Sequence, residues 1–327
     1  NTFSKVFESS DGYLWVGSNS GLFRFDGKRF KQISSLYYNS NSPSDNSIVD
    51  FEKDNLGNLW IAGFRYGITK YNLKTGQFRQ YKRLSSDSTE TYGTPCIYKD
   101  NQGTLWIGTA GRGLAKYLPQ KDTFQLFYPD PLKATDGSKR AENNVTGITE
   151  DKNDKNILWL SCLDGLYSFN KTTNVFIYHP FIYPGDKIKN VNYFLCIEQL
   201  GNYLYLGTWY EGLVIFDKTT KQFKRIPYTN PGRDDYHYPI LDLQLLGDSI
   251  IYMACINDGL LSYHIKTQTI SATLTQPDVK QLNTEISIQK LSLTQHAGFF
   301  AGGNAGIYQL HPNYNRFVNQ INYPADK

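Results

Sequence analysis

Five short segments set polar and aromatic side chains at one recurring place: Phe64-Arg65-Tyr66, Arg112, Asp164, Trp209-Tyr210-Glu211 and Asp258. Each taken singly reads better as just a solvated turn residue. Together they gather guanidinium, carboxylate, phenol and indole groups, which is what a polar ligand needs. The most telling is GTWYEG over 207–212. A flat apolar ring flanked by a phenol and a carboxylate suits a sugar, which offers C–H faces for stacking and hydroxyls for hydrogen bonding. Two readings of Trp209 stay open: a platform near the mouth of a channel, or a lid folded over the end of its own sheet. The stretch around Arg233, Asp235, Tyr236, His237 and Tyr238 is a second candidate, against the plainer reading of a surface loop packed by its own tyrosines. Arg65 and Arg112 lean slightly toward an acidic sugar.

No reactive constellation accompanies them. None of the five histidines is paired at metal-ligand spacing. His264 and His311 share a sequence position with Asp26, Asn72, Asn170 and Asp217, which marks a turn cap. GxSxG, HExxH and P-loop motifs are missing. The four cysteines, Cys96, Cys162, Cys196 and Cys255, lie in apolar strand-like runs without CxxC spacing. They read as buried free thiols, with a disulfide pair as the alternative, and do not identify a compartment. No carboxylate pair for glycoside hydrolysis stands out, because Asp54 and Asp100 are turn residues. No catalytic residue, metal or cofactor is therefore expected. The net charge of +4 is scattered, which argues against nucleic acid. No apolar run approaches the length of a membrane span. The chain opens in strand-like sequence with no visible signal peptide, and reads as an excised or processed domain.

What must position these side chains is a repeat. Four tryptophans sit in matching phrases, YLWVG, NLWIA, TLWIG and ILWLS, and Tyr205, Tyr252 and Phe300 continue the series. The seven anchors are 45 to 53 residues apart, and each is followed by a glycine and then Leu or Ile. In the second copy, four alternating runs, SIVDFEKD, NLWIAGF, GITKYN and QFRQYK, are separated by the turn segments DNLG, RYG and LKTG. Four strands per repeat at this period predict a propeller blade. The chain is expected to be all-β: one domain over 1–327, a seven-bladed β-propeller of four-stranded antiparallel blades. Each anchor should wedge between adjacent blades, and the glycine should allow a sharp turn and close strand approach. The blades should be self-contained, with the first and seventh closed by side-chain packing. The one–two and three–four connections are short. The four–one loops, such as 129–143 and 229–238, are long and irregular and share a face with the two–three loops that carry the residues above. That face is the functional candidate.

The repeat resembles the two-component regulator propeller repeat. FEKDNLGNLWIAGFRYGITKYN and IYKDNQGTLWIGTAGRGLAKYL carry the likeness most closely, and DGYLWVGSNSGLFRFDG is similar to the way such sensors begin a first blade. The resemblance implies the periplasmic sensor of a hybrid two-component system of glycan-degrading gut bacteria. Full-length members carry two seven-bladed propellers, a β-sandwich domain, a membrane helix, and a histidine kinase with response regulator, often as homodimers. This chain would be one propeller, the first, sensing an oligosaccharide and itself no enzyme. The family offers no universal binding motif, so no ligand residue transfers from it. Two other classes stand as alternatives: a protein–protein docking or dimerisation scaffold, and a propeller glycan lyase or hydrolase.

Overall fold

The computed structural model describes residues 2–36, 39–84, 93–129, 143–181, 193–228, 239–274, 286–304, 306–311 and 316–321, with backbone only for 311 and 316–321. It holds 28 strands, β1 to β28 in chain order, in seven antiparallel sheets of four consecutive strands each. The second copy shows how the pattern becomes a blade. Its four alternating runs become β5 (Ile48–Lys53), β6 (Asn58–Gly63), β7 (Ile68–Asn72) and β8 (Phe78–Tyr81).

The first strands of the other blades are β1 (Phe3–Glu8), β9 (Cys96–Lys99), β13 (Val145–Glu150), β17 (Phe194–Leu200), β21 (Ile240–Leu246) and β25 (Ile288–Leu293). Each touches the first strand of the next blade, and β25 touches β1, so the ring is closed. Among the described residues, no strand is exchanged between the ends. Phe3, Val6 and Phe23 of the first blade pack on Phe300 and Ile307 of the seventh. Hydrogen bonds add to this closure: Ser292 Oγ accepts from Val6 N at 2.8 Å, and Glu8 Oε2 accepts from His296 N and Ala297 N at 2.9 and 3.1 Å.

The anchors are the predicted wedges. Trp60 is fully buried against Ile97, Ile107 and Tyr117 of the third blade, its ring 4.5 Å from that of Tyr117. Trp15 meets Tyr71, Trp106 meets Phe169, and Trp159 meets Phe216 in the same way. The glycine after the anchor also behaves as expected. Gly113 has φ +73°, and a Cβ there would lie 2.2 Å from the Phe127 carbonyl oxygen. All four cysteines are buried free thiols.

The caps hold as well. Asp26, Asn72, Asn170 and Asp217 each accept backbone N–H bonds two and three residues ahead. Among the described residues, no helix is long and apolar enough to cross a membrane. Nor do three His, Cys, Asp or Glu side chains among them converge as a metal would require.

Candidate functional site

The two–three loops and the segments leading into the first strands lie on one face, as hydrogen bonds between them show. Trp209 N donates to Tyr193 O at 2.9 Å, Ile256 N to Pro239 O at 3.1 Å, and Gly111 N to Asn143 O at 3.1 Å. These loops are rigidly built. In the third blade Thr109 Oγ1 donates to Gly113 O and accepts from Arg112 N, at 2.7 and 3.0 Å. In the fifth, Thr208 Oγ1 donates to Gly212 O and accepts from Glu211 N, at 3.0 and 2.7 Å. One threonine thus fixes each five-residue loop, and Arg112 and Glu211 occupy equivalent places. The second blade has Gly63 at the threonine position. There the buried Asp45 takes over, its Oδ2 accepting from Arg65 N at 2.7 Å and Tyr66 N at 3.2 Å.

Trp209 is 39% exposed and Tyr210 38%, whereas the wedge residue Tyr205 is 3% exposed. Trp209 is therefore not pressed between blades. Tyr210 leans on Tyr193, ring centroids 5.9 Å apart. The Glu211 carboxylate pairs with Arg225 Nε at 3.0 Å. Arg65 is exposed, with its guanidinium 5.9 Å from the Phe64 ring, and Tyr66 is 46% exposed. Arg112 is half-buried.

Two candidate carboxylates point differently. Asp164 Oδ2 accepts the Tyr167 hydroxyl at 2.6 Å. Burial first, and Asp164 second, raise the pKa of that phenol. Asp258 is buried, and its charge adds to burial in raising the Cys255 thiol. Both acids belong more to the footing of their loops than to the open surface. Tyr236 and His237 lie outside the described residues. The structure thus brings Trp209, Tyr210 and Glu211 together in one loop and Arg65 with Tyr66 in another, with Arg112, Asp164 and Asp258 in loops of their own on the same face.

Sequence reasoning missed the charges on the first strands. Lys5 pairs with Asp50 and Lys290 with Asp242, each at 3.5 Å, and Lys99 Nζ lies 3.9 Å from Glu52. Their signal was present as charged residues at alternate positions of runs such as VDFEK, but alternation alone does not say which face meets the axis.

Residues 90–111 match the family model described as two component regulator propeller. No curated protein matches the chain. Among solved structures, the chain is similar to the extracellular domain of BT3049, described as a hybrid two-component system, from B. thetaiotaomicron. The TM-score is 0.73 at 20% identity, over 94% of this chain and 39% of that one. It is also similar to two structures of the extracellular domain of BT4673 from the same organism, described as a one-component system in one case and a hybrid two-component system in the other. Both have TM-scores of 0.71, at 21% and 20% identity, over 94% of this chain and 38% and 37% of those. The chain thus spans about two fifths of the length of these structures, and at such identity the likeness carries the fold. The fold is seven-bladed and closed through β25 and β1, and residues 90–111 of it match the two-component regulator propeller repeat.

Proposed function

We propose that this chain is an extracytoplasmic ligand-sensing propeller of a hybrid two-component system and takes an oligosaccharide on its loop-bearing face. The observation that carries the reading is the exposed Trp209–Tyr210 pair, held out on a loop whose backbone is pinned by Thr208 and Tyr193. Aromatic rings fixed on a rigid scaffold can stack on sugar rings without an ordering cost at binding. Arg65, Tyr66 and Arg112 supply donors around the same face, and the stretch with Tyr236 and His237 borders it in sequence. Asp164 and Glu211 are already engaged, by Tyr167 and Arg225. The similar extracellular domains are more than twice as long, which leaves room for a second propeller and a β-sandwich in the whole protein. The kinase would lie beyond these, across the inner membrane, with this propeller in the periplasm. Binding would bias the arrangement of domains or of two protomers, a population shift that passes the signal on.

A thermal-shift and calorimetric screen against neutral and acidic plant and host oligosaccharides tests the proposal. Trp209→Ala is expected to keep stability within about 1 kcal/mol and to weaken binding about tenfold or more. Unfolding of that variant, or undiminished binding, would remove the site.

A second reading, a docking or dimerisation scaffold, is favoured by one observation. On β16 (Val175–His179), the outermost strand of the fourth blade, Val175, Ile177 and Tyr178 are 52%, 57% and 44% exposed. Apolar side chains along an outer strand are an invitation to another chain.

A further inference from the structure

The seven junctions are not built alike beneath the wedge. In the first four blades the indole N–H has an acceptor: Ser9 Oγ for Trp15 at 3.3 Å, then Asp54, Asp100 and Asp151 for Trp60, Trp106 and Trp159 at 2.9, 2.9 and 2.6 Å. The acceptor is always two residues beyond the first-strand partner of the tryptophan; Trp106, for example, pairs with Tyr98. In two of these junctions a lysine of the next blade completes the group, Lys171 Nζ on Asp100 at 2.9 Å and Lys218 Nζ on Asp151 at 2.8 Å. Each lysine directly follows a turn cap, Asn170 or Asp217.

At the junction of the fifth and sixth blades the same three positions hold different chemistry. The wedge is Tyr205, whose first-strand partner is Glu198, so the acceptor position is Leu200. The residue after the cap position His264 is Ile265. Indole, carboxylate and ammonium have become a phenol and two aliphatic chains. The space they leave is a groove of about 850 Å³ on the turn-bearing face, floored by Tyr203, Tyr205, Ile215, Tyr263 and Ile265. Asp217, Thr220, Lys224 and Gln268 form its rim, with Lys224 Nζ donating to Gln268 Oε1 at 2.6 Å across the junction. That volume falls in the range of small-molecule sites, about 300–1,000 Å³.

Tyr205 and Tyr263 are 3% and 1% exposed, yet among the described residues no group bonds to either hydroxyl. Three other buried phenols do have acceptors: Tyr81 and Tyr117 donate to Asp122, and Tyr167 to Asp164. Neither hydroxyl oxygen is sealed from solvent, so both are open to bond to what enters the groove.

We propose that this groove is a binding site for a neutral sugar ring, on the face opposite the loops. Tyr203, 46% exposed, offers a ring face for stacking, and the Tyr205 and Tyr263 hydroxyls meet sugar hydroxyls at the floor. The rim carries one carboxylate and one ammonium, each already engaged, so it selects for no net charge. The assignment is independent of the loop-face reading.

Saturation-transfer NMR on the whole chain tests it, with methyl β-glucoside, methyl β-galactoside, cellobiose and lactose at millimolar concentration as probes. At least one is expected to receive transfer. Tyr203→Ala should weaken it about tenfold with an unchanged melting temperature. The triple change Leu200→Asp, Tyr205→Trp and Ile265→Lys rebuilds the trio of the third and fourth junctions and should fill the groove, abolishing transfer. Trp209→Ala should leave transfer intact, which separates this site from the loop face. No transfer from any of the four sugars, or transfer that Tyr203→Ala does not diminish, overturns the proposal. Tyr203 is half-exposed, so its variant decides even if the triple variant does not fold.

Discussion

The turn aspartates do two jobs at once. Asp100 Oδ1 accepts the N–H groups of Gln102 and Thr104, while Oδ2 accepts from the Trp106 indole and Lys171. Burial works to raise its carboxyl, but the bonds from Trp106 and Lys171 outweigh it and hold the pKa below the ordinary range. The stability this contributes is present above the ordinary carboxylate pKa and is lost as pH falls through the lower folded value. Asp100→Ala, which takes the acceptor from the Trp106 indole N–H and leaves Lys171 with Glu150 alone at 2.8 Å, is expected to cost about 1–3 kcal/mol in urea unfolding at neutral pH. Glu52 runs the other way. Burial above all pushes its carboxyl up to about 7 from 4.5, against the opposing pull of Lys99. The native state then holds a proton that the unfolded chain has released, so stability falls as pH rises across that window. Glu52→Gln should remove the slope and gain about 1–2 kcal/mol above it, read by unfolding at pH values on either side. Asp54 and Asp100 were legible as turn residues. Their hold on the indole was not, because it needs the hairpin to fold back and bring residues six apart into contact.

At the scale of elements, alternation and turn chemistry locate the strands because a half-buried sheet demands both. The second blade follows its four runs closely for that reason. Loop architecture was less legible. Thr109 and Thr208 sit in the recurring phrase GT, yet nothing in the phrase says that the hydroxyl closes the loop onto the glycine four residues on. The outer strand β16 carries the second functional reading. Ile177→Lys should leave stability within about 0.5 kcal/mol, because the side chain is more than half exposed. If that edge docks a second copy, sedimentation velocity will show self-association of the native chain and its loss in the variant. A monomer in both cases removes this reading.

The whole molecule is a ring in which one first-strand residue clasps each junction. Ser4 Oγ, Cys96 Sγ, Thr146 Oγ1 and Cys196 Sγ donate to carbonyls of the next blade: Ile48 O at 2.7 Å, Val145 O at 3.7 Å, Phe194 O at 2.7 Å and Ile240 O at 3.5 Å. Asp50 and Asp242 accept from Ile97 N and Leu291 N at 3.0 and 2.9 Å, and Ser292 closes the circle on Val6 N. Seven clasps and seven wedges make stability a property of the closed ring rather than of any blade. Removing residues 286–327 would expose Phe3, Val6 and Phe23 on one side and Tyr252 and Leu260 on the other. The truncated chain is expected to lose its single cooperative unfolding transition, as read by calorimetry and near-UV circular dichroism. The sequence by itself determined the blade count, the wedge positions, the caps and the side on which long connections gather. Each follows from a periodicity or turn that is local along the chain. Only the tertiary structure decided that Asp258 turns inward, that Glu211 is held by Arg225, that lysines and carboxylates line the first strands, and that the fifth junction opens into a groove. Those depend on which side chains meet after the chain has folded back, within a blade for Glu211 and Arg225 and between blades roughly 50 residues apart for the first-strand charges and the groove, where the tertiary fold, not local propensity, sets the distance.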